Sequence, residues 1–309
     1  MSGTPHSARA HMRPPELEDP LNRFVYHPLA ARLARLLART PITPNAVSVA
    51  GALMVWVAAL AYTQIAWPVG VALGLFFHCL WHVLDGADGD LARLTGKASP
   101  FGEMVDGACD YAAHSLLYVA LAAVLDDQLG IWAWLFGLAA AASHSIQTNH
   151  AETQRRSYLW WAYGVPWLKH ASAADRNGSG GRGWVSATFG WLAGRYLAVA
   201  NRMAPWAAAI DGAVHAAAPD PPRMARIQRL VRRSWRGAII FEKAVGPNPR
   251  TIILAISMAF GSPIWFFIAE TVLLNLLLLV SIWYHNRLGR RLARSVLDLA
   301  TPGRPGVAT

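Results

Sequence analysis

Charge and cysteine are both scarce in this sequence. Of its 309 residues only 15% are charged, while 54% are hydrophobic. That balance excludes an ordinary soluble chain of this length. Two cysteines, Cys79 and Cys109, are too few for a disulfide framework, and both fall in apolar helical contexts that favour buried free thiols. The apolar runs lack the apolar/polar alternation of barrel strands, so an all-α polytopic membrane protein is expected. No aromatic-basic motif for RNA or DNA is present. The net charge of +10 is therefore assigned to basic loops facing anionic membrane lipids, and nucleic acid is set aside. Residues 1–20, "MSGTPHSARAHMRPPELEDP", have no apolar core and read as a disordered tail, not a signal peptide.

What the sequence does have is long apolar runs, separated by the breakers "AWPV", "DDQLG" and "FGSP". Six transmembrane helices are expected at 45–66, 68–93, 101–126, 129–149, 246–260 and 263–285, since about 20 apolar residues cross a hydrocarbon core of about 30 Å. Ahead of them, residues 21–41 place Leu29, Leu33, Leu36 and Leu37 on one helical face and Arg32, Arg35 and Arg39 on or beside the other. This is an N-terminal amphipathic helix suited to the membrane interface. The domain layout reads as the tail 1–20, the interfacial helix 21–41, a four-helix block 44–149, a basic helical segment 150–245, a helix pair 246–285 and a basic tail 286–309. Within 150–245, residues 183–212 are apolar enough to span, but Arg195 and Arg202 would be costly in lipid, so an amphipathic helix on the cytoplasmic face is expected. Residues 223–237, "RMARIQRLVRRSWRG", read as a headgroup-facing helix. All 28 Lys and Arg then fall on one side of the membrane. The positive-inside rule puts both termini, the long segment and the acidic stretch in the cytoplasm, with the chain a multi-pass protein of the cell inner membrane.

That acidic stretch is "DGADGDLARLTGKASPFGEMVDGACD", residues 85–110. Asp85 and Asp88 lie three apart at the end of the second apolar helix, and Asp106 and Asp110 lie four apart at the start of the third. Both spacings put a pair on one helical face, and the tight connection "TGKASPFG" lets the faces meet. Four carboxylates converging at a membrane surface repel one another unless cations neutralise them. Their hard oxygens favour Mg²⁺ or Mn²⁺, and a pair of such ions suits displacement at phosphorus. Gly86, Ala87, Gly89, Ala92, Gly102, Gly107 and Ala108 are interleaved with the acids, allowing close packing and leaving room for a ligand. Arg93 can answer phosphate charge.

The eight positions Asp85, Asp88, Gly89, Ala92, Arg93, Gly102, Asp106 and Asp110 resemble, without departure, the signature of the CDP-alcohol phosphotransferase (phosphatidyltransferase) family. The resemblance extends to the basic N-terminal helix, to "TPNAVS" at the first membrane helix and to the six expected spans, but not obviously to most of 150–245. It implies that Asp85 and Asp106 bridge two divalent ions, that Asp88 is a ligand of the first, and that Asp110 is a ligand of the second and the general base. It further implies that Gly89, Arg93 and Ser99, with Ala92 and Gly102, lie where the family holds the CDP moiety. Asn45 and Ser48 match its nucleotide contact, Ser replacing the more usual Thr. The implied reaction is attack of a hydroxyl on the β-phosphorus of a CDP-linked alcohol, releasing CMP, and the family is commonly a homodimer.

Two features are similar to inositol-phosphate-type transferases: the segment before the first helix and "DGADGDLAR". "TGKASPFGEMVDGACD" instead resembles choline/ethanolamine phosphotransferases. The donor is thus either a CDP-lipid with a polyol or polyol-phosphate acceptor, or a CDP-linked small alcohol with a lipid acceptor. A cation transporter would place acids at mid-helix and show an internal repeat, and neither is present. A non-catalytic lipid-binding scaffold would tolerate loss of an aspartate, yet all four remain.

Other polar residues carry weaker expectations. His78 and His82 share the side of Asp85 and read as interior packing or a substrate hydrogen bond before a metal role, and His114 continues the Asp106/Asp110 face. His144, Asn149, Arg155 and Arg156 end the fourth helix, where the arginines suit either a substrate phosphate or anionic lipid. "GLAAAASH" on that helix suits internal packing or a dimer contact. Glu270 and Asn275 are expected to make fold-holding hydrogen bonds, and Arg250 to reach the mouth of the site.

Overall fold

The computed structural model describes residues 14–165, 194, 198–199 and 201–300, and the regular elements among them are all helical. The chain enters through a π-helical turn, Asn22–Tyr26, that continues into α1 (His27–Leu37). Thr43 then caps α2 (Pro44–Gln64), its side chain accepting from the Ala46 N–H at 3.2 Å with Pro44 in the first turn. Ser99 does the same for α4 (Pro100–Leu129) through the Gly102 N–H at 3.1 Å. Both follow the preference for a hydroxyl N-cap with proline just inside the helix. Between them, α3 (Val69–Leu94) is followed by Gly96 at φ +67, a left-handed stop that glycine adopts without strain. α5 (Ile131–Tyr163) ends in the same way on Gly164.

Further along the chain come α6 (Ala207–Ala217), α7 (Pro221–Trp235), α8 (Ile239–Ala244) and α9 (Pro247–Ala259). α10 (Ile264–Ile268) runs through a π-helical turn, Ala269–Leu273, into α11 (Leu274–Ala300). Among the described residues, four helices are long and apolar enough to cross a membrane: Pro44–Gln64, Val69–Leu94, Phe101–Leu129 and Ile264–Leu299. The fourth and fifth expected spans fall on helices outside that set. α5 carries Ser143, His144, Gln147 and His150 through its middle, and α9, with 13 residues, is about 20 Å long at 1.5 Å per residue. The glycine-rich loop and half of the expected amphipathic helix over 183–212 lie outside the described residues, and in the described half a turn at 204–206 interrupts the helix before α6.

Two main cores divide the molecule. One gathers Val55, Ala58, Trp81, Leu117, Leu121, Leu125, Leu254 and Phe267 from α2, α3, α4, α9 and α10. The other gathers Trp161, Trp206, Ile210, Ile227, Val231, Trp235 and Val296 from α5, α6, α7 and α11. Close approach in the second core depends on Gly289, where an added Cβ would meet the Trp206 ring at 2.2 Å. A small third cluster, Ala30, Ala34, Val47, Ala87 and Leu91, seats α1 on α3. Residues 14–20, part of the expected tail, are tied down. Glu16 accepts from the hydroxyls of Tyr158, at 2.9 Å, and Tyr163, and Asp19 accepts from Asn248 at 2.8 and 2.9 Å. Burial alone would raise the Glu16 pKa, but the tyrosine hydroxyls and Arg232 outweigh it and hold it below the usual carboxylate value.

Candidate active site

The exposed tryptophans Trp67, Trp132 and Trp265 stand at the α2–α3 turn and at the starts of α5 and α10. Such residues collect at the membrane–water boundary. Counting along α3 from Val69, Asp85 lies about 24 Å from that boundary and Arg93 about 36 Å. That length matches a hydrocarbon core about 30 Å thick, so a spanning α3 would carry the acidic stretch to the opposite edge.

There the helix faces meet as their spacing predicts. One carboxylate oxygen from each of Asp85, Asp106 and Asp110 lies within 4.8 Å of the others. The pairs Asp88–Asp106 and Asp85–Asp110 approach closely enough to hydrogen-bond. Like charges at 4.8 Å repel by roughly 3 kcal/mol per pair at an effective dielectric constant of about 20. Three such pairs disfavour full ionisation without a compensating cation. The separation is also close to the roughly 4.2 Å that two opposed oxygens span around an ion with bonds of about 2.1 Å. The donor set fits a hard divalent ion in both charge and reach. Beside it, an added Cβ at Gly107 would meet nothing within 4 Å, so the cluster has open space on one flank.

Asp88 lies outside that trio. It is buried, and its Oδ2 accepts from the Ser48 hydroxyl at 2.5 Å, which joins α2 to the site. Asn45, Ser99 and Gly102 also converge, since a Cβ on Gly102 would stand 3.4 Å from Ser99 Oγ and 3.8 Å from Asn45 Oδ1. The Arg93 guanidinium lies over Gly89, 3.3 Å from where a Cβ would be, and pairs with Asp90. Ala92 is half-buried, and its carbonyl accepts from the Lys97 N–H at 2.8 Å, closing the turn after α3. The substrate-contact residues expected from the sequence thus form two groups, Asn45–Ser99–Gly102 and Gly89–Arg93, beside the carboxylates.

Several contacts were not legible in the sequence. The Trp81 indole N–H donates to Asp110 Oδ1 at 3.0 Å. Its ring packs on His82 and His114 at 4.4 and 4.7 Å between centroids. His114 donates from Nδ1 to the Asp110 carbonyl at 2.8 Å and stacks on His144 at 5.4 Å. His82 is hydrogen-bonded through Nε2 to Thr251 at 2.9 Å and stacks on Tyr26. These histidines form a packed layer behind the carboxylates. Arg250, expected at the mouth of the site, is instead buried against Glu270 at 3.1 Å and donates to Gln147 and Thr148 at 2.6 and 2.8 Å. A fully buried carboxylate demands a partner, and Arg250 supplies it. Asn275 holds the same region through Gln147 and Ser143, both at 2.9 Å.

The arginine pair on α5 is clamped by a residue the sequence reading passed over. Glu152 accepts from Arg155 at 2.8 and 2.7 Å and from Arg156 at 2.6 Å. Arg156 also reaches to 3.9 Å from Glu103 on α4 and is near enough to act electrostatically on Asp106. This brings the end of α5 to the edge of the site. Cys79 and Cys109 are half-buried and free, with Cys79 accepting from the Tyr26 hydroxyl at 3.3 Å.

Residues 41–161, which include Asp85, Asp88, Asp106 and Asp110 and the expected substrate contacts, match the family model for CDP-alcohol phosphatidyltransferase. Two curated proteins are similar over a comparable number of residues. Archaetidylinositol phosphate synthase of Pyrococcus horikoshii is 31% identical over 111 residues, covering 35% of this chain and 50% of that protein. Phosphatidylinositol phosphate synthase of Mycobacterium marinum is 31% identical over 105 residues, covering 33% and 42%. The chain spans about half or less of each relative's length.

Proposed function

From the CDP-alcohol phosphatidyltransferase domain that residues 41–161 carry, we propose that the chain is an integral-membrane phosphotransferase of phospholipid biosynthesis. It moves a phospho-alcohol group from a CDP-alcohol to an acceptor hydroxyl and releases CMP. The observation that carries the reading is the carboxylate trio Asp85, Asp106 and Asp110, within 4.8 Å at the membrane edge. Two divalent ions, Mg²⁺ or Mn²⁺, held by these residues with Asp88 beside them, would offset negative charge on the diphosphate. Asp110 takes the proton of the acceptor hydroxyl as its oxygen bonds to the β-phosphorus. The bond from that phosphorus to the CMP oxygen breaks, and the proton passes on to water. Trp81 fixes the orientation of the Asp110 carboxylate. Asn45, Ser48 and Ser99, with Gly89, Ala92, Arg93 and Gly102, hold the nucleotide and its phosphates, where Arg93 must exchange Asp90 for substrate.

The relatives are named as archaetidylinositol phosphate and phosphatidylinositol phosphate synthases, which supports a CDP-lipid donor and an inositol-type phosphate acceptor. Arg156, beside Asp106, suits an acceptor phosphate. A small CDP-alcohol with a lipid acceptor is the alternative that the choline/ethanolamine-like stretch keeps in the test. Six spans, a homodimer, and a site and termini on the cytoplasmic face of the cell membrane complete the proposal. The basic connections on one side support that orientation. The test is CMP release across a panel of CDP-alcohols and acceptors with Mg²⁺ or Mn²⁺, products being identified by mass spectrometry. Asp110→Asn is expected to lose turnover while retaining CDP-alcohol binding. Near-normal turnover in that variant removes the base assignment, and no CMP from any donor removes the function.

A further inference from the structure

α11 is longer than a membrane requires. With α10 and the π-helical turn it runs 36 residues, Ile264–Leu299, about 54 Å, against a hydrocarbon core of about 30 Å. The exposed tryptophans Trp265 and Trp283 lie 18 residues apart, about 27 Å, which is the separation of the two interfacial aromatic belts. Between them, Leu273, Leu276 and Val280 are 59%, 56% and 49% exposed on a face that points to lipid tails. Beyond Trp283 the same face changes character. Arg287, Arg290, Arg291 and Arg294 follow at the three- and four-residue steps that share a helical side. These four line an open cavity of about 420 Å³.

The first of them marks the depth, since the Arg287 guanidinium lies over the Trp283 ring at 5.8 Å. By helical rise, Arg287 is about 6 Å past the belt and Arg290 and Arg291 about 10–12 Å. Headgroup regions form a layer about 5–8 Å deep on each side of the hydrocarbon core, a longer distance when measured along a tilted helix, and the long arginine side chains, including that of Arg294 at about 16 Å, reach back toward it. Among the described residues none of the four is ion-paired to a carboxylate. Arg294 donates from Nε to the Arg290 carbonyl at 3.4 Å, and Asp298 lies one turn further out. The acyl-facing stripe and the cationic cluster are one continuous surface.

We infer that this face of α11 is a binding site for an anionic phospholipid, whose acyl chains lie along Leu273–Val280 and whose phosphate is held by Arg287, Arg290, Arg291 and Arg294. Guanidinium groups suit this role because their paired donors match phosphate oxygens. A soluble phosphate compound would use the cations but leave the apolar stripe without a role. The site lies outside residues 41–161 and does not depend on the proposed reaction.

Native mass spectrometry of the full-length protein with equimolar phosphatidylglycerol and phosphatidylcholine tests it. Phosphatidylglycerol adducts are expected to exceed phosphatidylcholine adducts about tenfold or more, as several basic residues at one surface imply. Arg290→Gln and Arg294→Gln, both at exposed positions, should each lower that preference two- to threefold. The fourfold Gln variant should abolish it, while Lys at all four positions should retain part. Gln replacement of Arg226 and Arg229 on α7 should leave it unchanged. Equal retention of the two lipids by the wild type, or undiminished preference in the single variants, overturns the inference. Displacement of the lipid by inorganic phosphate at matching concentration also overturns it, because the ligand would then be soluble.

Discussion

Replacing Trp81 with Phe separates the positioning of Asp110 from the stability of the bundle. The substitution keeps an aromatic ring against His82 and His114 but removes the N–H that Asp110 Oδ1 accepts at 3.0 Å. A hydrogen bond to a charged acceptor contributes about 1.5–3 kcal/mol, so turnover should fall roughly 10- to 100-fold if the carboxylate must hold that orientation in the transition state. The packing loss is smaller. A gap of about 35 Å³ left by the indole costs about 1 kcal/mol at about 24 cal/mol per Å³. CMP release, thermal melting and Mn²⁺ affinity by electron paramagnetic resonance measure the three consequences separately. The expected pattern is a modest fall in melting temperature, weaker Mn²⁺ binding and at least a tenfold loss of kcat. Turnover within threefold of wild type, alongside the lowered melting temperature, would refute the positioning argument and leave Trp81 as packing alone.

Other substitutions test neighbouring claims. Asp106→Ala breaks the carboxylate trio, and the rise in melting temperature that Mg²⁺ or Mn²⁺ is expected to give the wild type should disappear. Ser48→Ala removes the 2.5 Å bond to Asp88, and a fall in kcat/KM of about five- to tenfold is expected from one lost hydrogen bond of about 1 kcal/mol or slightly more. Arg250→Met strands the buried Glu270 carboxylate and should cost roughly 3–5 kcal/mol in denaturation. Arg250→Met with Glu270→Leu should recover most of that loss, and failure to recover would assign the cost to shape and not to charge.

The aspartates were legible because helical geometry is local. Steps of three and four fix which residues share a face, and Gly96 and Ser99 mark the end of α3 and the start of α4, which carry them. Contacts across long separations were not legible. Trp81 reads as one more apolar residue in an apolar helix, and its partner is 29 positions away. Arg250 meets Gln147 across 103 positions, a pairing that no periodicity reveals, and so its expected place at the mouth was wrong. α5 outran its apolar window for a related reason. Gln147 and His150 find partners on the π-helical turn and α11, so polar residues are accommodated and the helix continues to Gly164. The glycine was a readable stop that the hydropathy pattern obscured.

In lipid, apolar side chains gain little by meeting each other instead of acyl chains, so polar bonds between helices assume much of the work of fixing rotation. The layer behind the carboxylates supplies such bonds. His82 is locked to Thr251 of α9 at 2.9 Å, and Asp85 follows three residues later on the same side of α3. Any rotation of α3 that swung Asp85 away from Asp106 and Asp110 would first break the His82 bond. Trp81 of α3 holds the Asp110 carboxylate of α4, while His114 bonds the Asp110 carbonyl within α4 itself. The repulsion among the acids favours splaying the helices, and the interhelical His82–Thr251 and Trp81–Asp110 bonds oppose it. The histidine layer therefore needs no metal ligand of its own to matter to the proposed metal site: it helps keep three mutually repelling oxygens close together.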